Sequence, residues 1–598
     1  MQLLGASAEG AGSEGGDASA EEERSETRLL WELGWPLLIA RVADEVSWLS
    51  IYAFWGQMGS AVSGAGYDAY TGMQFTLVFI FGAQQALYTM VPQATGAGNT
   101  AQVGALLQLV LFWTTVVLGV PTALSWAFMG DLMLHFNMLA DAPSDCGVSV
   151  GNGTNATAEA AQDLADMYHE ADLIESYGQV SVLYLLPYVW VVGLTTWLES
   201  VEEVQEAETI AALGSLLKAG LSWVFMFKHD HLPGFLQGYE LNGFAYASAV
   251  GYSVQLGLLL YIVFHLRRHH AQYWRGWCVQ YLLLNIYITS CPLKPNIHCR
   301  RDLAAVLDPA LNKRFLYLAS PLVVQYAMQN WAWFVIQMIM SSECEDLASA
   351  YGVTSSFTNT AGSVSTALYT AVSVRVGTNL GEGRPAAAKS VMNMGFMLAA
   401  VAGGLISIVL YLFRGQLARL FCDPTTDEGA SCVPVNALSV SVAGHVSLYY
   451  FLNSMMWAFW APLEGQMRTM LPSAALTIGM WGVTVPFSWL TIKSGWFGVA
   501  VDPTAVCDAE QCASDGVSLA ESQLAASWWV GNLGMLTTMG LMLWACLTSD
   551  WDDLARQAQE SAEIIEEGGD GDGGGRDGSE SSSDVGGAAA EKEGPSGF

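Results

Sequence analysis

Four charged side chains lie inside apolar segments of the sequence, where an ionised group is costly. Arg41, Asp44 and Glu45 share one such segment, and Lys218 lies in another. Charged groups within a membrane-spanning helix are rare and mark ion or substrate paths by default. Arg41 precedes the two carboxylates by three and four residues, which places the three groups on one side of a helix. Two interpretations follow: Asp44 or Glu45 couples an ion, or Arg41 forms an internal ion pair that makes their burial tolerable.

The composition indicates a membrane protein. Of the 598 residues, 52% are hydrophobic and only 13% are charged, and the formal net charge is −33. A soluble domain carries about 25% charged residues, and a nucleic-acid-binding protein needs a basic surface. The sequence therefore excludes a single soluble domain and a nucleic-acid partner. It contains no set of nucleophile and base and no cluster with metal-ligand spacing, so we expect neither an enzyme nor a metal site.

Twelve segments are long and apolar enough to cross a bilayer, which takes about 20 residues per helix. They are residues 29–55, 69–91, 103–126, 177–199, 209–227, 241–265, 315–340, 348–373, 390–412, 437–461, 471–492 and 524–547. A shorter apolar segment, 277–291, is interpreted as interfacial or re-entrant. With both termini in the cytoplasm, 17 of the 23 Lys+Arg residues fall on cytoplasmic segments and four on outer loops. This asymmetry agrees with the positive-inside rule.

The two halves of the chain repeat each other. Three features of the first half recur in order in the second, namely the opening of the first span, the end of the second span and a following Gly-x-Gly. The matched segments are 35–48 with 320–333, 86–91 with 367–372, and 96–98 with 381–383. An even number of spans in each half makes both halves cross in the same direction. We therefore predict an all-α membrane protein with twelve transmembrane helices, in two six-helix lobes related by a pseudo-twofold axis along the membrane normal.

The predicted division of the chain follows from these spans. It comprises a disordered acidic N-tail (1–27), the N-lobe (28–266), a cytoplasmic linker (267–314), the C-lobe (315–549) and a mostly disordered cytoplasmic C-tail (550–598). Both tails are rich in Gly, Ser, Ala and acidic residues, which cannot bury enough apolar surface to fold. The acidic run at the inner end of the fourth span, Glu199 to Glu208, is interpreted as a solvated loop rather than a cation attractor.

The outer loops contain possible sites of covalent modification. Asn152 and Asn155 each begin an N-glycosylation sequon within the loop 127–176, which the charge count places outside. Two cysteine pairs lie within single outer loops: Cys422 with Cys432, and Cys507 with Cys512. Outer loops face an oxidising space, so disulfides are one interpretation and free thiols the other.

Several short motifs, taken in order, resemble a known transporter family. They are Gly56-Gln-Met-Gly59 after the first span, Gln93-Ala-Thr-Gly-Ala-Gly98 after the second, Ser373-Val-Arg-Val-Gly-Thr-Asn-Leu-Gly-Glu-Gly383 after the eighth, Leu463-Glu-Gly465 after the tenth and Asp550-Trp551 after the last. They are similar to the motifs of multidrug and toxic compound extrusion (MATE) transporters, over roughly residues 28–560, with a eukaryotic character. The loops 127–176, 267–314 and 493–523 are longer than is usual in that family.

The resemblance implies an antiporter whose two lobes rock about a central cavity. Such a protein exports an organic cation, a xenobiotic or another amphipathic solute in exchange for H⁺ or Na⁺, with no other cofactor. Aligned with the family, three expected acids are absent, since their positions hold Ile51, Gln329 and Asn453. The interpretation that follows is that coupling moves to Asp44 and Glu45 with Arg41, is carried by another group, or is lost.

The polar and aromatic residues of the central spans are the candidates for the substrate cavity. They are Lys218, Gln329, Asn330, Trp333, His445 and Asn453. We expect a monomer in the plasma membrane or a vacuole-type membrane, with the lipid bilayer and a small cationic substrate as partners. Two alternatives remain open. One is a flippase of lipid-linked oligosaccharides, which needs a basic cavity, and the other is a receptor or scaffold descended from a transporter.

Overall fold

The architecture is helical throughout the part of the chain that the computed structural model describes. The described residues are 6–58, 60–135, 156–229, 233–234, 237–267, 269, 273, 309–341, 343, 345–421, 432–494 and 509–569. Long apolar segments become helices because a helix satisfies its own backbone hydrogen bonds in lipid. Polar caps mark some helix starts. Asn99, for example, precedes one helix and accepts from the backbone N–H of Gln102 at 3.1 Å.

The helices of the N-terminal half run from the first tail to the inter-lobe segment. They are α1 (Ala6–Gln57), α2 (Ser60–Gln84), α3 (Ala86–Gly96), α4 (Thr100–Phe112), α5 (Gly119–Ala127), α6 (Met129–His135), α7 (Ala156–Ser200), α8 (Val204–Met226) and α9 (Leu241–Tyr261). A π-helical segment, 113–118, joins α4 to α5, and another, 262–266, ends α9.

The helices of the C-terminal half follow the same plan. They are α10 (Pro309–Ser341), α11 (Glu345–Gly381), α12 (Pro385–Leu412), α13 (Arg414–Phe421), α14 (Cys432–Ser441), α15 (Ala443–Gly465), α16 (Met470–Thr477), α17 (Val485–Ser494), α18 (Ala509–Leu547) and α19 (Trp551–Gly569). A π-helical segment, 478–484, joins α16 to α17.

The twelve spans predicted from the sequence correspond to these helices. Within the described residues, eight helical stretches are long and apolar enough to cross a membrane, and α14 with α15, bent by 55°, makes a ninth. The other three spans are α1, α10 and α11, which are long enough but richer in polar residues. The extra polarity arises because these helices carry the charged and polar groups of the interior. The protein is thus an integral, multi-pass membrane protein.

Helix packing confirms the pseudo-twofold relation of the two lobes. In one lobe α1 packs on α8, and in the other α10 packs on α16 and α17. Across the lobes, α1 packs on α11 while α10 packs on α2. The middle of α1 joins the apolar core of the C-lobe through Leu30, Leu33 and Leu37, whereas the start of α10 joins the core of the N-lobe. The lobes therefore interlock at the end of the bundle where α1 begins, which we call the tail end.

The tails differ from the sequence prediction. Helix α1 begins at Ala6, within the predicted disordered segment, and Glu26 is buried. Ala and Glu, which dominate residues 18–26, are strong helix formers. At the other end, α19 covers Trp551–Gly569 and buries Trp551, Ala555 and Ala558 against both lobes. Residues 1–5 and 570–598 lie outside the described part, as does most of the linker 267–314.

Candidate functional site in the interior of the bundle

Asp44 forms its ion pair with Lys218, on the neighbouring helix α8. The Lys218 Nζ lies 3.5 Å from Asp44 Oδ1, and the Ser215 hydroxyl donates to the same oxygen at 2.7 Å. Lys218 Nζ also donates to the Tyr252 hydroxyl at 2.9 Å. Gly251 on α9 leaves room for the lysine, since a Cβ there would come within 2.5 Å of Lys218 Cγ. The Lys218 side chain is only 6% exposed and provides the counter-charge of Asp44; its predicted place in the cavity stays a prediction.

Arg41 pairs with Glu199 rather than with the acids on its own helix. Arg41 Nη2 lies 3.6 Å from Glu199 Oε1, and the Tyr88 hydroxyl donates to Glu199 Oε2. The carboxyl group of Glu208 lies within hydrogen-bonding reach of Glu199. The predicted solvated loop is therefore wrong for its first and last members, because Glu199 and Glu208 are buried, while Glu202, Glu203 and Glu206 are half-buried.

The interior contains an accessible space. Arg41 is surrounded by protein, and its charge interacts with groups on three other helices, yet 43% of its side chain remains accessible. The Asp44 side chain is 46% accessible while it contacts α8. We infer from these accessible side chains, which contact other helices, that α1 borders a space within the bundle. One side of α1 carries, at helical spacing, Arg41, Glu45, Trp48 and Tyr52. The exposed face of the helix, with Trp35, Val42 and Val46, lies on another side.

Glu45 stands beside a group of aromatic rings on this side of α1. The Trp48 ring lies 4.6 Å from that of Tyr70 and 6.0 Å from that of Tyr52, centroid to centroid. The charge of Glu45 acts on the hydroxyl groups of both tyrosines. Within the described residues, no side chain forms a hydrogen bond or an ion pair with the Glu45 carboxylate. The arrangement offers a carboxylate and ring faces to a cation, which both attract.

The predicted C-lobe residues divide into two groups. Gln329, Asn330 and Trp333 on α10 and Asn453 on α15 are partly accessible. By the repeat, Asn330 and Trp333 correspond to Glu45 and Trp48, so the α10 face carries an uncharged version of the α1 face. His445 lies elsewhere: its ring packs 5.1 Å from that of Trp529, which belongs to an exposed stripe of α18 with Leu533, Leu536 and Trp544. Its predicted place in the cavity stays a prediction.

The tail end is closed by direct backbone contact between the lobes. A Cβ on Gly96 of α3 would lie 2.1 Å from the carbonyl oxygen of Thr378, and one on Gly381 of α11 would lie 2.3 Å from that of Gln93. Gln93 Nε2 also donates to the carbonyl of Gly465 at 2.8 Å. The first glycine of each Gly-x-Gly thus permits the crossing of α3 and α11. The second, Gly98 or Gly383, adopts a positive φ of 75° or 72° and turns the chain.

A buried ion pair reinforces this closure. Arg375 on α11 donates through Nη2 to both oxygens of Glu26, at 2.7 and 2.8 Å, and through Nη1 to Glu202 at 2.7 Å. Arg375 belongs to the C-lobe, whereas Glu26 and Glu202 belong to the N-terminal half. We call these three residues the tail-end latch. The sequence analysis missed it, although the position of Arg375 within a family motif was a signal that could have drawn attention to it.

The possible modification sites are not placed by the structure. Asn152, Asn155, Cys422 and Cys507 lie outside the described residues, as do the side chains of Cys432 and Cys512. Within the described residues, Cys546 on α18 is a buried free thiol. Glycosylation and disulfide formation at these positions stay predictions.

Two interlocked six-helix lobes around a charged internal chamber define the transporter class of membrane proteins. The MatE family model matches residues 321–490. The chain is 22% identical to the probable multidrug resistance protein NorM of Synechococcus over 79% of this chain and 89% of that protein. It is 23% identical to Protein DETOXIFICATION 16 of Arabidopsis thaliana, over 71% of this chain and 74% of the relative.

Solved structures show the same fold. The eukaryotic MATE transporter AtDTX14 superposes with a TM-score of 0.67 at 16% identity, covering 90% of this chain and 100% of that one. The Vibrio cholerae MATE transporter VcmN, solved as a point mutant, gives a TM-score of 0.59 at 16% identity, covering 89% and 99%. The fold of this chain is therefore that of multidrug and toxic compound extrusion transporters, and residues 321–490 match that family's model.

Proposed function

We propose that this protein is a secondary antiporter that exports organic cations, xenobiotics or amphipathic metabolites in exchange for H⁺ by alternating access. The relatives named for multidrug resistance and detoxification support efflux as the activity. The observation that carries the proposal is the free carboxylate of Glu45 beside Trp48, Tyr52 and Tyr70 in an enclosed, accessible space. A carboxylate with aromatic neighbours favours an organic cation over an anion or a neutral solute.

Coupling follows from competition at the two neighbouring acids. Glu45 holds either a proton or the cationic substrate, because each neutralises the same charge. Protonation of Asp44 leaves the Lys218 ammonium without its counter-charge at 3.5 Å, and that positive charge disfavours a cation at Glu45 nearby. A proton that enters the chamber therefore displaces the substrate, and mutual exclusion of this kind gives antiport.

The driving force is sufficient for this exchange. One elementary charge that crosses 100 mV releases about 2.3 kcal/mol, and about 1.4 kcal/mol corresponds to a tenfold concentration ratio. One proton exchanged for a neutral solute thus supports a gradient of tens-fold from the potential alone. Exchange for a monovalent cation moves no net charge, so it is driven by the pH difference, at about tenfold per pH unit. Na⁺ is the alternative coupling ion, and the experiment below separates the two.

Alternating access requires that the tail end open and close. The positive-inside asymmetry supports a cytoplasmic location for this end and for both termini, in the plasma membrane or a vacuole-type membrane. In the present conformation the latch and the α3–α11 crossing, both formed by described residues, close the chamber on that side. Opening requires the release of Glu26 and Glu202 from Arg375 and the separation of the two glycine contacts.

The charge pattern does not support the flippase alternative. A lipid-linked diphosphate needs unpaired positive charge in the cavity, whereas Arg41 is paired with Glu199 and Lys218 with Asp44. Other basic residues of the described part lie in the latch or towards the ends of helices. A receptor or scaffold is distinguished by its behaviour, since it binds the cation without moving it along a gradient.

The test is transport by the purified full chain in proteoliposomes. A fluorescent organic cation is supplied under an imposed pH gradient or an imposed Na⁺ gradient. We expect accumulation driven by the pH gradient, loss of it in Glu45→Gln, and normal transport in Glu32→Gln, a control that removes an exposed glutamate from the same helix. Binding of the cation without flux would indicate a receptor. Flux driven only by the Na⁺ gradient would identify Na⁺, rather than H⁺, as the coupling ion.

A further inference from the structure

The two lobes carry corresponding Tyr–Glu pairs near the tail end. Tyr88 and Tyr369 occupy the same place in the repeated Ala-Leu-Tyr-Thr segment, and Glu199 and Glu464 each follow a buried leucine at the end of corresponding helices, α7 and α15. Three residues after each glutamate the chain turns through a left-handed residue, Glu202 or Met467, with φ of 66° or 57°. The two glutamates are therefore equivalent positions of the internal repeat.

The two pairs differ in their contacts. In the N-lobe the Tyr88 hydroxyl donates to Glu199, and Arg41 compensates the charge. In the C-lobe Glu464 is 0% exposed and Tyr369 3% exposed. Within the described residues, neither oxygen of Glu464 and no atom of the Tyr369 side chain has a hydrogen-bond partner. The indole N–H of Trp460, one turn before Glu464, also lacks a partner, and its ring packs 5.6 Å from that of Tyr369.

In the described part of the chain, no positive charge compensates Glu464 from the surrounding elements. Three basic residues on or next to the helices packed around Glu464 are engaged elsewhere or exposed: Arg375 binds Glu26 and Glu202, Arg468 donates to the Ser549 hydroxyl, and Lys389 is exposed. The other ionisable groups beside α15 are Tyr326 on α10, Tyr369 on α11 and Cys546 on α18, whose thiol donates to the carbonyl of Phe459. All three are neutral at neutral pH. A fully buried, isolated carboxylate is far more costly than the neutral acid, so such a group is neutralised.

A proton fits this site better than a metal ion. Calcium and magnesium take several oxygen ligands at once, whereas Glu464 has the indole of Trp460 one turn before it and interacts with the phenol of Tyr326. The described part of the chain also contains no group of three or more His, Cys, Asp or Glu residues that could hold a metal. The chemistry of the site therefore favours a carboxylic acid that carries its own proton.

We propose that Glu464 is a second proton-binding site, in the C-lobe, which is loaded while the tail end is closed and unloaded when it opens. The next residue, Gly465, accepts from Gln93 of the N-lobe, and a Cβ on it would lie 2.7 Å from the Ser373 carbonyl oxygen. Separation of the lobes removes the first contact and admits water beside Glu464. The O–H bond of the acid then breaks, the proton passes to that water, and the carboxylate is hydrated. After closure the carboxylate takes a proton from water of the chamber, which re-forms the O–H bond and completes the cycle.

This proposal rests on the alternating access proposed above, but its test does not require transport. Infrared spectra of the full chain in lipid nanodiscs at neutral pH report the C=O stretch of a protonated carboxyl group in apolar surroundings. We expect this band in the wild-type protein, loss of its Glu464 component in Glu464→Gln, and an unchanged band in Glu382→Gln, a control at an exposed glutamate of the same end. Absence of the band in the wild type, or its full retention in Glu464→Gln, would overturn the proposal.

Two further measurements keep the result decisive. Glu464→Asp retains an acid, so it should shift the band without removing it, and it replaces Glu464→Gln if that variant does not fold. In proteoliposomes, Glu464→Gln should retain substrate–substrate exchange while losing part of the proton movement per substrate exported. If the band behaves as expected but neither the wild type nor any variant transports, the proposed antiport function is wrong and the proton site is supported. If the wild type transports normally but lacks the band, the proton site is wrong and the antiport function is supported.

Discussion

Arg375 and Glu26 form a bidentate ion pair across the two halves of the protein, with 4% and 3% of their side chains exposed. Glu26 lies on a tail helix that composition alone would leave disordered. The pair therefore gives the N-terminal tail a structural role, because it ties the N-terminal half of α1 to the C-lobe helix that must move for the tail end to open. Glu202 adds a second carboxylate from the N-lobe to the same guanidinium.

Loss of the latch should favour opening of the tail end. Removal of one partner from a buried pair typically costs about 3–5 kcal/mol, and here the cost falls on the closed conformation. We expect Glu26→Gln to increase the labelling rate of a cysteine introduced at Ala94, which is buried on α3, while Glu32→Gln leaves it unchanged. The double variant Arg375→Glu with Glu26→Arg swaps the two charges, so it should label more slowly than Glu26→Gln. Equal labelling of Glu26→Gln and wild type would show that the latch does not stabilise closure.

Substitutions in the Asp44–Lys218 pair should separate the role of the pair in coupling from its role in stability. Asp44→Asn leaves the buried Lys218 ammonium unpaired, so we expect lower thermal stability and loss of proton-driven efflux. Lys218→Met combined with Asp44→Asn removes both charges and should restore stability without restoring efflux. Thermal unfolding and vesicle transport measure the two properties. Undiminished transport in Asp44→Asn would remove Asp44 from the mechanism.

Trp48 should contribute to recognition of a cationic substrate. A cation–π contact provides about 0.5–2 kcal/mol, which corresponds to a change of about 2- to 30-fold in affinity. We therefore expect Trp48→Ala to weaken binding of an organic cation within that range and to affect a neutral analogue of the same shape less. Trp35→Ala removes an exposed tryptophan from the same helix and serves as control. Equal losses for both ligands would indicate a packing role for Trp48.

The glycine contacts at the tail end should be intolerant of a side chain. Gly96→Ala and Gly381→Ala place a methyl group against the backbone of the opposite lobe, at 2.1 and 2.3 Å before any relaxation. We expect either substitution to hold the lobes apart at this end and to lower the transport rate. Gly404→Ala is the matched control, since a Cβ there meets nothing within 4 Å. Normal transport in Gly96→Ala would show that this close contact is not needed.

Much of the fold could be predicted from the sequence because its signals are local. Apolar length predicts the spans, and the repeated Trp-Pro and Ala-Leu-Tyr-Thr segments predict the two lobes. The pairing of charges could not be predicted in the same way. Arg41 has acids three and four residues away, but its partner is Glu199, since the two meet only after α1 packs against the other helices. Likewise Glu26 is buried only because Arg375, 349 residues later, lies beside it in the folded protein.

The measurement that tests the central claim most directly is proton release on substrate binding. The purified protein in a weakly buffered solution receives an organic cation while a pH indicator records the protons set free. If proton and substrate compete for the α1 acids, the wild type releases protons on binding, and release falls sharply in Glu45→Gln or Asp44→Asn while Glu32→Gln matches the wild type. Binding of the cation with no proton released, or with the same release in all four proteins, would contradict this account.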